Sequence, residues 1–323
     1  MKNELVHQFG KDKGIQMPKS ITDKTIVLFK YNGTPLVANA ITVSNTPFVK
    51  PNIKTQTYKD VGTGKLGATK TYIDENQTDT SFDIEVLLRG SDKTGVAPKT
   101  APKIAELLKA AGLKETVGTV DITYSPNHAE ISPSTCIVYQ DDEKRTVNGA
   151  VANMKIEGTV GQAAKATFSV QGFTTPIPVV EVNPSVTLDT NTLMIVSKIT
   201  AITLAGTSLN ITKFELDLNN EITVNYATGM SDFARKDFAP KLKLSGIKNK
   251  GDITPWSDLL ATSVKEVIII LGSGAGKTLT ITATQASTDD MEENDNDGIV
   301  GFTRTFGLQG DATGENQFKL KWS

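Results

Sequence analysis

Alternation of apolar and polar side chains constrains this chain more than any other feature. In "FDIEVLLRG", Phe82, Ile84, Val86 and Leu88 fall on one side of an extended backbone, with Asp83, Glu85 and Arg89 on the other. "FELDLNN" repeats the pattern, with Phe214, Leu216 and Leu218 set against Glu215 and Asp217. Successive side chains of an extended backbone point to opposite faces, so such a segment reads as a strand with one face in a core. Further strands are predicted at "TIVLFKYNG", "STCIVYQ", "ATFSVQGF", "KLKLSG", "TLTITAT" and "FKLKWS", with turn-forming residues between them. The fold class that follows is mainly β, built from half-buried antiparallel strands.

Helix is scarce. "TAPKIAELLKAAGLK" puts Ile104, Leu107, Leu108 and Ala111 on one stripe, with Pro102 in the first turn and Gly112 at the end. "TPWSDLLATS" predicts a second, shorter helix with Leu259 and Leu260 on its buried side. Each follows a strand ending in glycine, Arg89-Gly90 and Ser245-Gly246, and this parallel suggests a duplication. Asn148-Gly149-Ala150-Val151 matches Asp297-Gly298-Ile299-Val300, and Gly158 and Gly161 match Gly307 and Gly310, all at one offset of 149 residues. The predicted organisation is an N-terminal extension (1–14), a first copy (15–175), a proline-bearing linker (176–184, with Pro176, Pro178 and Pro184) and a second copy (185–323). One continuous sandwich with two similar sheets is the alternative.

Several chemistries are excluded or weakened. "VIIILGSGAGKTLTITAT" looks like a phosphate loop, but Gly272 stands one residue too close to Gly276-Lys277-Thr278, and an alternating strand follows where a helix N-terminus is required. It reads as a hairpin turn. In "DDMEENDNDG", Glu293, Asp295, Asp297 and Gly298 have the spacing that opens a calcium loop, but the twelfth position, which must be a carboxylate, is Arg304. The run reads as a solvated acidic loop, with "QDDEKRTVNG" as its counterpart in the first copy. His7 and His128 are the only histidines and Cys136 the only cysteine, so catalytic triads, an intrachain disulfide and cysteine-based metal sites find no support. Lys plus Arg number 34 against 36 Asp plus Glu, without the basic surplus of a nucleic-acid binder. The apolar run Val267–Leu271 is too short to span a bilayer, and no secretion-signal core is seen near the N-terminus. The expectation is a soluble protein of a reducing compartment, without cofactor, metal or enzymatic activity.

Two all-β copies, each with one short helix, resemble the tail tube proteins of long-tailed, non-contractile bacteriophages. The resemblance is sharpest in "GTVDITYSPNHAEISPSTCIVYQDDEKRTVNGAVANMKIEG", "ITLAGTSLNITKFELDLNNEITVNYATG" and "GDATGENQFKLKWS". It implies tandem β-sandwich domains, each flanked by a helix, that contribute strands to a ring-shaped inner β-barrel. Rings stack into a hollow tube in the virion tail, through which genomic DNA passes without specific binding. With the domain doubled, homotrimeric rings would have pseudo-sixfold symmetry. The partners implied are other copies of the chain together with tape-measure, tail-terminator and tail-tip proteins, and no membrane. Other readings are a different β-sandwich virion or surface module, the tube of a contractile tail or secretion machine, and a carbohydrate-acting protein.

Each copy also carries a long polar stretch before a core strand, read as a loop that contacts a neighbouring ring or subunit. The candidate stacking residues are Gly62, Gly64, Lys65 and Thr71 in the first and Asn225, Tyr226 and Met230 in the second. A bore that conducts DNA should repel phosphate, so Asp141, Asp142, Glu143, Asp289, Asp290, Glu292 and Glu293 are candidates for its wall, with the outer surface as the alternative.

Overall fold

The computed structural model describes residues 24–53, 55–59, 69–73, 78–91, 100–129, 131–196, 201–227, 230–274, 276–311 and 315–323. They form large antiparallel sheets with two α-helices. The first half contains β1 (Thr25–Tyr31), β2 (Ala40–Ile41), the hairpin of β3 (Thr55–Lys59) and β4 (Thr69–Ile73), β5 (Thr78–Leu87), α1 (Ala105–Ala110), β6 (Leu113–Val117), β7 (Ile122–Pro126), β8 (Ser134–Gln140), β9 (Glu143–Thr159) and β10 (Lys165–Thr174). There follow β11 (Val179–Val180), β12 (Ile202–Leu204), β13 (Thr207–Ser208), β14 (Ile211–Asp217), the hairpin of β15 (Asn220–Ala227) and β16 (Met230–Phe238), β17 (Lys241–Ile247), α2 (Thr254–Ala261), β18 (Val264–Gly272), β19 (Thr278–Asn296), β20 (Ile299–Leu308) and β21 (Lys319–Trp322).

The alternation acts as expected. Phe82, Ile84 and Val86 of β5 are buried, as are Phe214 and Leu216 of β14, while their polar neighbours are more exposed. One strand order occurs twice. In the first half β1 pairs with β8, β8 with β9, β9 with β10 and β10 with β5. In the second, β12 pairs with β18, β18 with β19, β19 with β20 and β20 with β17. β14 lies along β17, and the segment 44–52 lies along β5 in the same sense, through Ser44 N donating to Glu85 O, Asn52 N donating to Asp79 O and the Pro51–Thr80 bridge. The fixed offset of 149 does not describe this repeat. Asn148-Gly149 lies inside β9, whereas Asp297-Gly298 is the turn from β19 to β20. The connection equivalent to that turn is residues 160–164, three residues longer, so no single offset holds across it.

A seam joins the halves. β9 is long enough to pair with β8 through its first part and with β14 through Lys155–Thr159, and β21 closes on β7 through Ile122, Thr123 and Tyr124. The main cluster of buried apolar residues runs through both halves, from Val27 to Trp322. At the seam Gly158 makes room for Phe214: a Cβ there would stand 2.4 Å from the Phe214 ring and 2.7 Å from Val196. Gly158→Ala is expected to destabilise by about 1–3 kcal/mol through overpacking, read from the urea unfolding midpoint.

α1 matches its stripe, with Leu107, Leu108 and the flanking Ile104 and Ala111 buried and Gly112 beyond its end at φ +88°. α2 departs from expectation. Leu260 is 86% exposed, and the helix's only buried residue is Asp258. A carboxylate rather than a leucine faces the sheet because Arg304 of β20 and Lys265 of β18 wait there for a partner.

Candidate assembly surfaces

The acids singled out in the sequence sit in two unrelated places. Asp141 and Asp142 make the β8–β9 turn, with φ of +47° and +67°, a conformation that aspartate tolerates better than most residues. Asp141 pairs with Lys24 at 3.2 Å. The Asp142 carboxylate accepts Asn183 N at 2.9 Å, the Asn183 side chain accepts Asp142 N at 3.1 Å, and Glu181 N donates to Asp142 O. Glu143 pairs with Val180 in the β9–β11 ladder. Lys144 donates to Glu181 at 2.9 Å and Tyr139 OH donates to it at 2.8 Å, which together hold the Glu181 carboxyl below its ordinary pKa. This cluster fastens the proline-bearing connection onto the β8–β9 hairpin.

Asp289, Asp290, Glu292 and Glu293 lie in β19, not in a loop as the sequence suggested. Pairing with β20 draws them into a strand, and the actual turn is only Asp297-Gly298, where the Asp295 carboxylate accepts Gly298 N at 2.7 Å. Asp289 occupies a bulge, with its carboxylate over Gly307. Asp290 accepts the N–H of Met291. Glu293 accepts from Lys248 and from Trp256 Nε1, and these bonds hold its carboxyl below the usual range. Glu292 is exposed. The β8–β9 turn is not the counterpart of this run either: in the repeated strand order it corresponds to the turn between β18 and β19. That turn is the glycine-rich stretch, with positive φ at Gly272, Gly274 and Gly276.

Both stretches read as loops contain β-hairpins. Thr71 lies in β4 opposite Thr57 and is exposed, while Gly62, Gly64 and Lys65 lie outside the described residues. Asn225 and Tyr226 lie in β15 opposite Asp232 and Ser231, and Met230 opens β16 opposite Ala227. This second arm folds onto the first half. Tyr226 OH donates to Asp79 at 2.9 Å, and Phe233 and Tyr226 flank Phe173 with ring centroids 4.7 and 6.1 Å away. Arg235 donates to Asn127 O, and Asn220 Nδ2 donates to Ala111 O beyond α1 and to Ala152 O of β9. The solvent face of the seam is a ladder of alternating charge. Lys165 bridges Glu85 and Glu157 at 2.9 Å each, Lys213 reaches Glu157 at 3.7 Å, and Lys155 pairs with Glu215 at 3.1 Å. Hydrogen bonds from Lys165 hold both Glu85 and Glu157 below the ordinary glutamate pKa.

Two features escaped the sequence reading. One is the Asp258–Arg304 pair. The other is the set of apolar side chains left exposed on and beside α2 and at the β19–β20 turn: Ile253, Trp256, Leu260, Val264, Ile299 and Val300. "PWSDLL" gave no signal for the second, since Trp256, Leu259 and Leu260 stand at i, i+3 and i+4 and read as a stripe to be buried. Among the described residues no group of three or more His, Cys, Asp or Glu could hold a metal ion, and no helix is long and apolar enough to cross a membrane. His128 lines a cleft of about 370 Å³ between β16 and the first half, with Arg235 and Phe238. No protein-family model matches the chain, and no curated protein matches it.

Proposed function

We propose that this chain is a structural subunit that polymerises into a hollow tube, the tail tube of a long-tailed bacteriophage. Three copies close a ring from six similar β-sandwich units around an inner barrel, stacked rings make the tube, and the genome passes through it to the host. The role is structural rather than catalytic. One observation carries the reading: a single strand order occurs twice, each time with a β-hairpin arm between a lateral segment and the strand that leads toward a helix. A duplicated unit of this kind joins one lateral strand to one edge within the chain, β14 on β9, and leaves the corresponding β19 edge for a neighbour; edges left without partners are an aggregation hazard that ring closure removes. The arm β15–β16 already bridges the two halves, which is the contact that a ring repeats between copies.

Negative-stain electron microscopy with native mass spectrometry of the purified protein tests this. Rings of three copies and tubes built from them are expected. A monodisperse monomer up to the solubility limit would discard the reading.

A further inference from the structure

The two halves differ in what covers them. In the first, the outer part of β9 pairs with β14, and the second arm reaches across to Ala111 O just beyond α1. In the second, among the described residues, Asp290–Asn296 of β19 pair with β20 alone, and Trp256 and Leu260 of α2 face solvent. The position that β14 fills beside β9 is therefore open beside β19.

Charge indicates what fills it. Residues 289–297 carry six acids and no base, whereas residues 44–73 carry five lysines (Lys50, Lys54, Lys59, Lys65 and Lys70) and one acid, Asp60. The intrachain seam instead has both signs on each strand. Residues 44–52 run along β5 as β14 runs along β17, and both lead into an arm. We propose that the acidic part of β19, with the exposed Trp256 and Leu260 of α2, docks residues 44–52 and the arm β3–β4 of a second copy of this chain. This rests on the tube reading and identifies the contact that closes its ring.

The register follows from the rungs. Leu87–Lys165–Glu157 and Ile247–Gly301–Asn294 are the corresponding last three-strand rungs before the β9–β10 and β19–β20 turns. Leu216 sits beside Leu242, five residues back from Ile247, and opposite Ile156, one back from Glu157. Five back from Leu87 is Phe82, which the antiparallel Pro51–Thr80 bridge sets beside Val49. One back from Asn294 is Glu293. Val49 of one copy thus stands opposite Glu293 of the next, and Lys50 opposite Glu292.

The test is a cysteine pair, Lys50→Cys with Glu292→Cys, in a chain whose only native thiol, Cys136, is fully buried. Facing strand positions lie within disulfide reach. Mild oxidation of assembled protein is expected to give a covalent trimer on a non-reducing gel, and Lys50→Cys with Asp142→Cys to give none. Separately, Glu292→Lys should raise the concentration needed for assembly about tenfold through like charges across the rung, and adding Lys50→Glu should restore it. Rings or tubes without the covalent trimer overturn the edge assignment and leave the tube reading standing. Covalent oligomers without rings or tubes keep the edge and overturn the tube. A monomer throughout overturns both.

Discussion

Arg304→Met is expected to destabilise the chain by about 3–5 kcal/mol, the usual cost of removing one partner from a buried ion pair. Arg304 is 3% exposed, and its guanidinium donates to the Asp258 carboxylate at 2.9 Å and, through Nε, to Thr288 at 2.8 Å, while stacking 4.6 Å from the Phe306 ring. Without it Asp258 stays buried with Lys265 alone. The double variant Arg304→Met with Asp258→Leu should recover much of the loss, because an apolar contact of similar volume replaces the pair and Lys265 can turn to solvent. Urea unfolding of the two single variants, the double variant and the wild type measures this. If Arg304→Met alone unfolds at the wild-type midpoint, the pair contributes nothing. The same site predicts acid sensitivity. Burial works to raise the Asp258 carboxyl, but hydrogen bonds from Lys265 and Arg304, together with their charges, outweigh it and leave its pKa below the ordinary aspartate value. A carboxylate whose folded pKa is depressed stabilises the fold above its unfolded pKa, near 3.8. That contribution drains away as pH falls through the lower folded value.

Trp322→Ala should cost about 3–5 kcal/mol, as for other large buried aromatics. Trp322 is 1% exposed, meets Tyr124 edge-on at 5.4 Å, donates from Nε1 to Arg89 O, and sits in the strand that joins β19 to β7. Its loss removes packing from both halves at once, so the calorimetric transition should shift as a single peak. Two separated transitions would show that β21 does not couple the halves.

The strand faces were legible because alternation is local: Phe82 to Leu88 and Phe214 to Leu218 state their own buried side. The arms were not. In β15, Ile222 and Val224 alternate with Thr223 and Asn225, but no core face announces itself, and the arm gains its shape from Phe173 and Asp79, more than fifty residues upstream. Asp289–Asn296 read as a loop because carboxylates disfavour strands. Only the distant commitment of β20 to β17 draws them into a ladder. Asp258 and Arg304 are 46 residues apart, too far for any spacing rule to connect them. The glycine matches failed for a related reason: equivalent turns differ in length, so a fixed offset aligns letters rather than rungs.

The seam strand also governs how the molecule responds to pulling. β9 is one unbroken backbone whose beginning is bonded to β8 and whose end is bonded to β14. Tension along its axis loads the five rungs from Lys155 to Thr159 in shear, so they must rupture together rather than peel apart one by one. The two halves are therefore stiffest against stretching along that direction and weakest against prying from the side.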